Sequence, residues 1–388
     1  MRLLHTSDWH LGKVTNAISR RPDHECTVAE MLAIAREFEP DLVLHTGDLF
    51  DAFLPSADDM RLAMDALGEL AAIAPVTVLC GDRENPKLFA LLERIRGNDR
   101  LRFIDKPRRP AEGGILEYGT SGCERIRLAA LPYVRNTTNI RASGNAAAWT
   151  TAYGAALADC DPERDIAIFA AHLHVTGATF AGSERKAQLN DPQTRPEAIP
   201  VVTYAAFGHI KKPQDIGGRN WARYAGSPIP IDFGELDEQK SVVLVEAKPG
   251  GKVRRELAGL SGGRPLRQVR GTLAEIRERA DGLSGTLARV VVEHSGSANA
   301  VYDRVAELLP KTILLTVEVL DPDRQIEPIE SAGDVAEPGL GDLFGAFVSE
   351  KANPAADEKR VAECFNDALH ALRAQQTLTF AELDETAP

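Results

Sequence analysis

The sequence predicts an α/β protein built on a mostly parallel sheet covered by helices, and three observations predict it. Short apolar runs alternate strictly with helical patterns from Met1 to about Asp105. Apolar residues make up 44% and charged residues 26% of the 388, ordinary values for a globular chain. Aspartate and histidine gather where the apolar runs stop, and in parallel α/β sheets ligands collect at the carboxyl ends of strands.

Arg2–His5, Leu42–His45, Val76–Cys80 and Leu101–Ile104 read as strands. Between them Glu25–Phe38, Ala57–Ala72 and Lys87–Ile95 carry apolar residues at three-to-four spacing, the signature of one buried helix face. Strand and helix in alternation form crossover units, which pair strands in parallel. Ile126–Leu131, Ile166–Ala171, Val201–Phe207 and Ser241–Glu246 are further strands with longer loops. Gly and Ser around Ser261–Pro265 mark a boundary. A second α/β module follows, with a strand near Val269, a helix at 272–280, a strand at 288–294, a helix at 299–309 and a strand at 313–320.

The last segment differs. Leu340, Leu343, Phe344, Phe347 and Val348 mark one apolar helix face, and Val361, Cys364, Phe365, Ala368, Leu369 and Leu372 a second. Two short amphipathic helices cannot form a core alone, so they are expected to dock on the parent domain or a partner. The expected division is 1–262, 263–322 and 323–388.

Formal charge is −12, but the segment after Leu320 carries −10 of it. Lys248–Arg279 holds nine basic residues against Glu256, Glu275 and Glu278, a stretch able to contact phosphates. No apolar run approaches the roughly 18 residues of a membrane span. Asp8 and His10 interrupt the only apolar start, which speaks against a signal peptide. Five cysteines without CxxC spacing fit a reducing compartment and argue against a zinc ribbon. The expected setting is the cytoplasm, with no membrane.

Five strand ends carry chemistry: Asp8-Trp9-His10, Gly47-Asp48-Leu49-Phe50-Asp51, Gly81-Asp82-Arg83-Glu84, His172-Leu173-His174 and Gly208-His209-Ile210-Lys211. Each alone is weak, since a Gly-Asp is usually a turn and a histidine usually structural. Five in order point to one metal site assembled from the whole sheet. Mixed carboxylate and imidazole donors suit manganese, iron or zinc. A carboxylate such as Asp48 can bridge two cations roughly 3.5–4 Å apart, an arrangement used for phosphoester cleavage. His5, His24, His45, His294 and His370 are expected to be structural, and His174, which shares a face with His172, is left open.

The words Leu3–Lys13 (LLHTSDWHLGK), His45–Asp51 (HTGDLFD), Ala170–Ala178 (AAHLHVTGA), Phe207–Gln214 (FGHIKKPQ) and Tyr224–Glu235 (YAGSPIPIDFGE) resemble the calcineurin-like metallophosphoesterase superfamily. More closely they resemble its SbcD-type nuclease subunits, over at least residues 1–320. The resemblance implies a metallophosphoesterase β-sandwich flanked by helices, a small α/β capping domain and C-terminal partner-binding helices. It implies a Mn²⁺-dependent DNA exonuclease and hairpin endonuclease of repair and recombination, which activates water with two ions. Such subunits work as homodimers on double-stranded DNA ends, bound to an SbcC-type ATPase with a long coiled coil. The helices Glu25–Phe38 and Ala57–Ala72 are the expected dimer contact.

By the same resemblance one metal takes Asp8, His10, Asp48 and the position of Lys211, and the other takes Asp48, the position of Asp82, His172 and His209. Three residues depart from the family's words. Asp82 replaces a ligand Asn, Arg83 replaces the histidine thought to protonate the leaving group, and Lys211 replaces a ligand His. Asp82 still offers an oxygen and adds charge. Arg83 can neutralise a phosphate but cannot donate a proton at neutral pH, and a protonated Lys211 cannot ligate. Two expectations follow: Lys211 takes the place of one cation, pairing with Asp82 or Asp48 and leaving one metal or none, or Arg83 and Lys211 hold the phosphate backbone of bound DNA. The alternative function is a catalytically impaired DNA-end scaffold; a small-substrate phosphoesterase fits least, because YAGSPIPIDFGE is specific to the SbcD type.

Overall fold

The computed structural model describes residues 1–135, 139–181, 193–236, 238–294 and 298–320, and two six-stranded sheets face each other within them. The first runs Arg254–Gly259, Ser241–Glu246, Arg2–Thr6, Leu42–His45, Val76–Leu79 and Leu101–Ile104 from edge to edge. Its last four strands pair in parallel, and Ser241–Glu246 joins Arg2–Thr6 antiparallel. The second runs Gln214–Ile216, Arg219–Tyr224, Tyr204–Gly208, Asp165–His172, Arg125–Leu131 and Ile115–Gly119. Its four middle strands are parallel.

Side chains alternate across each strand, so one run feeds two cores. Leu3, Leu42, Leu44, Val243 and Val245 meet Ile126, Leu128, Ile166, Ile168 and Tyr204 between the sheets. Leu4, Val43, Val76, Val78 and Val242 point the other way, onto Met31, Leu32, Leu67 and Leu70 of the helices Arg21–Phe38 and Ala57–Ile73. Ala129, Leu131, Phe169 and Phe207 pack outward against Tyr153 and Leu157 of the helix Asn139–Ala158. The result is a sandwich with helices on both outer faces. The strand ends therefore come from two sheets, not from one.

Two expected elements move. The strand expected at Val201–Phe207 begins at Tyr204, because Val201 stands 91% exposed in solvent ahead of the sheet. The helix expected at 272–280 ends at Glu278, after Thr272 caps it in a reciprocal box with Glu275.

Leu266–Gly271, Leu287–Glu293 and Ile313–Leu320 form a separate three-stranded parallel sheet. Val269, Ile276, Val290, Val292, Val301 and Val305 give it a core of its own. The hairpin Val14–Thr15/Ile18–Ser19 turns through Asn16 and Ala17, both left-handed, the tight hairpin geometry that Asn favours. Asn16 reaches the third strand of this module, donating to Thr316 Oγ1 at 2.6 Å. The two amphipathic helices expected at 340–348 and 361–372 lie outside the described residues.

A buried ion network ties the start of the first helix to the segment before the module. Asp23 accepts from Arg20 Nε at 2.6 Å, from Arg264 N at 2.6 Å and from Arg264 Nη2 at 2.8 Å. Burial opposes the Asp23 charge, but the hydrogen bonds of Arg264 and Arg20 overcome it and lower its pKa. Asp23→Ala strands the fully buried Arg20, and urea unfolding is expected to read a loss of about 3–5 kcal/mol. The depressed pKa sets the sign with pH. The Asp23 contribution is complete above the unfolded carboxylate value of about 3.9 and fades as pH falls through its lower folded value. The variant's unfolding free energy should accordingly depend less on pH in that acidic window than the parent's.

Candidate metal centre

Four strand-end residues, Asp8, His10, Asp48 and His209, adopt positive φ, half of the eight non-glycine residues that do so among those described. Backbone in this region costs energy in an L-residue and persists only where its surroundings fix it. Main-chain hydrogen bonds supply that fixing. Asp8 N donates to Gly47 O at 2.9 Å, His10 N to Asp48 O at 3.0 Å and Leu11 N to Leu49 O at 2.9 Å, so the first two strand ends are zipped together. Two glycines admit the close approach. A Cβ on Gly47 would strike the His172 ring, and one on Gly81 would strike Asp48.

Glu84 shapes the third strand end from beneath. Fully buried, it accepts from Phe50 N at 3.0 Å and Gly81 N at 2.5 Å. Burial, with the Asp48 charge adding to it, pushes its carboxyl up to about 8. Arg135 holds the same loop from outside, its Nη2 donating to the carbonyls of Gly81 at 2.9 Å, Asp82 at 2.8 Å and Glu84 at 2.5 Å. Its guanidinium also sits 5.5 Å over the Tyr133 ring, which stacks on His209. Sequence patterning singles out neither Tyr133 nor Arg135, although Pro132-Tyr133-Val134-Arg135 directly follows the strand Arg125–Leu131.

The site has two groups of candidate ligands, Asp82/His172/His209 and Asp8/His10/Asp48, each with three donor atoms within 4.8 Å of one another. In the first, His172 Nε2 and His209 Nδ1 each lie 3.1 Å from Asp82 Oδ1 and 3.3 Å from each other. His172 Nδ1 meets the Thr46 carbonyl at 2.8 Å. That contact directs Nε2 at the centre, the usual way a protein orients a ligating histidine. In the second group, His10 Nε2 lies 3.5 Å from Asp48 Oδ2 and 3.8 Å from Asp8 Oδ1. The atom is buried and makes no hydrogen bond. Asp48 joins the groups, since its other oxygen, Oδ1, is 3.5 Å from His172 Nε2. An orphaned buried imidazole nitrogen and two converging carboxylate–imidazole sets fit divalent cations.

Electrostatics agrees with the geometry. Burial, reinforced by the Asp82 charge, pushes Asp48 up to about 6. Burial also raises Asp8 and lowers His10. Asp82 goes the other way: burial would raise it, but hydrogen bonds from His172 and His209 hold it well below the carboxylate range. His172 is pushed up to about 9, Asp48 and Asp82 prevailing over its burial. Surroundings that favour a proton on a nitrogen between carboxylates favour a cation there as well.

All eight residues picked from the sequence lie at or beside this centre. Arg83 borders it at 43% side-chain exposure, its Nε 3.8 Å from Asp82. Asp48 and Asp82 keep it charged against its partial burial. The charge of Lys211 reaches Asp8, His10 and Asp48. His174 falls outside both groups, its ring edge-on to Phe180 and 6.4 Å from that of His209. His5 is structural as expected, bonded to Tyr204 Oη at 2.9 Å and Thr46 Oγ1 at 3.1 Å.

Because Arg135 holds the loop that presents Asp82 through its carbonyls, Arg135→Gln is expected to weaken divalent-cation binding by about 10–100-fold. Calorimetry reads this, and an unchanged thermal unfolding profile of the metal-free chain would separate it from misfolding.

Comparison with known proteins agrees with this geometry. A family profile described as calcineurin-like phosphoesterase matches residues 1–213, more than half of the chain. The chain is 29% identical over 281 residues to the SbcD component of the SbcCD nuclease of Bacillus subtilis, covering 69% of this chain and 71% of that protein. Against the SbcD component from Rhodobacter capsulatus it is 28% identical over 279 residues, covering 66% and 68%. Against that of Escherichia coli K12 it is 25% identical over 405 residues, covering 97% and 99%. A matching profile over most of the sandwich, relatives aligned along two thirds or more of the chain and a two-group centre at the strand ends lead to one statement: the chain belongs to the calcineurin-like phosphoesterase family and is SbcD-like within it.

Proposed function

We propose that the chain is the phosphodiester-cleaving subunit of an SbcCD-type complex, a Mn²⁺-dependent nuclease acting on double-stranded DNA ends in repair and recombination. The observation that carries this is Asp48, one carboxylate whose two oxygens face two ligand groups. Asp82, His172 and His209 would hold a divalent cation on the Oδ1 side, and Asp8 and His10 lie on the Oδ2 side. A bound cation supplies Lewis-acid polarisation of a phosphoryl oxygen and lowers the pKa of water.

The chain's own residues account for the remaining steps. Arg83, half-exposed at the rim, binds the phosphate by charge and does not release a proton. Protonation of the departing oxygen therefore falls to a group other than Arg83. Arg254 and Arg270 lie exposed within the basic stretch Lys248–Arg279 and offer contacts for a phosphate backbone. The three-part division at 262/263 and 322/323, the homodimer, the SbcC-type ATPase partner with its coiled coil, the C-terminal docking helices and the cytoplasmic setting belong to the same reading. In its support, relatives over most of the chain are named as subunits of the SbcCD nuclease, and no helix among the described residues is long and apolar enough to cross a membrane. The scaffold alternative is not favoured, since the Asp82, Arg83 and Lys211 departures leave both three-donor groups assembled.

With the partner ATPase present, linear duplex DNA is expected to be degraded in Mn²⁺ and spared after chelation. His172→Ala should lower the rate at least about 100-fold, beyond the usual effect of an outer-shell change. Cleavage that survives both chelation and His172→Ala would contradict the assignment.

A further inference from the structure

The two ligand groups carry two carboxylates each but unequal numbers of imidazoles. The Asp82 group draws on two carboxylates, Asp82 and Asp48, with the two imidazoles of His172 and His209. The Asp8 group draws on Asp8, the shared Asp48 and one imidazole. Lys211 lies two residues after His209, whose backbone N–H donates to Asp8 of this second group at 3.1 Å. Ile210, between the two, is fully buried in the core behind the site. The backbone there is fixed, since the Lys211 carbonyl accepts from Ser227 N at 3.0 Å and from Lys240 Nζ at 3.3 Å. Lys240 is in turn anchored in a buried pair with Glu235. The Lys211 charge lowers the pKa of Asp8, His10 and Asp48, although burial weighs more on each.

We propose that the centre is asymmetric: one divalent cation binds tightly among Asp82, His172, His209 and Asp48, and the fixed positive charge of Lys211 weakens cation binding at Asp8 and His10. This rests on the metal-dependent reading above and deepens it. Asp8, Asp48 and Asp82 carry three negative charges, which one divalent cation and one ammonium balance, and Arg83 beside Asp82 offsets Asp51 beside His10. A second cation enters against both positive charges in a buried site, where Coulomb interactions are little screened.

The test is Mn²⁺ binding to the full chain by calorimetry, with the electron paramagnetic resonance spectrum of the loaded protein. One tight ion with an uncoupled mononuclear spectrum is expected, a second ion binding at least about 100-fold more weakly. Lys211→Met removes the charge without adding a ligand, and should strengthen the second site and produce an exchange-coupled spectrum. Lys211→His should do the same and more. Two ions of equal affinity in the parent chain would overturn the asymmetry and leave the metal-dependent reading standing; no ion at all would overturn both. A gain from Lys211→His with none from Lys211→Met would place the cause in the missing ligand and overturn the charge argument. Asp82→Ala separates the sites: loss of the tight ion is expected, and its retention would refute the assignment.

Discussion

Asp48 is the constraint on which the rest of the site depends. It follows a strand of the first sheet in a left-handed conformation, fully buried, with one oxygen toward each ligand group. A buried carboxylate without compensation is costly, and the neighbourhood is organised around meeting that cost. Its carbonyl takes the His10 amide, and Oδ1 takes the Arg83 amide at 3.1 Å. Gly81 must lack a side chain because Asp48 occupies the space beside it. Glu84 then holds the Gly81 amide and Arg135 the following carbonyls, so the third strand end is moulded around the second.

The sandwich makes this convergence possible. His172 and His209 belong to the second sheet and Asp8, Asp48 and Asp82 to the first, so the centre exists only while both sheets stay pressed on their common core. The contact of His172 Nδ1 with the Thr46 carbonyl, and of His209 N with Asp8 at 3.1 Å, link the sheets at the site itself, beside the contacts of both imidazoles with Asp82. Stability and chemistry are thereby joined: a change that lets the sheets slide would separate ligands before it unfolded the chain.

Much of this is legible in the sequence. The parallel strands and their helices come within a few residues of the observed bounds, because periods of two and of three to four are distinct in apolar runs. Ile115–Gly119 and Arg254–Gly259 escape sequence reading, since edge strands with Glu117 or Arg254 and Glu256 facing solvent show no apolar run. The helix Asn139–Ala158 escapes it because alanine lies all round it and blurs its apolar face. Asp8, His10, Asp48, Asp82, His172 and His209 are legible as candidate donors placed after strands. The contributions of Glu84 and Arg135 are not, because both act through main-chain groups that only the folded loops bring to them. Which sheet each strand joins is equally hidden, as no local pattern distinguishes the two.

The account stands on a cation held by donors from both sheets. Anomalous diffraction at the manganese edge, from crystals of the full chain grown with Mn²⁺, tests that most directly. It should show its strongest peak bonded to Asp82, His172, His209 and Asp48, with any peak at Asp8 and His10 much weaker. A dominant peak away from these six residues, or one at Asp8 and His10 alone, would contradict it.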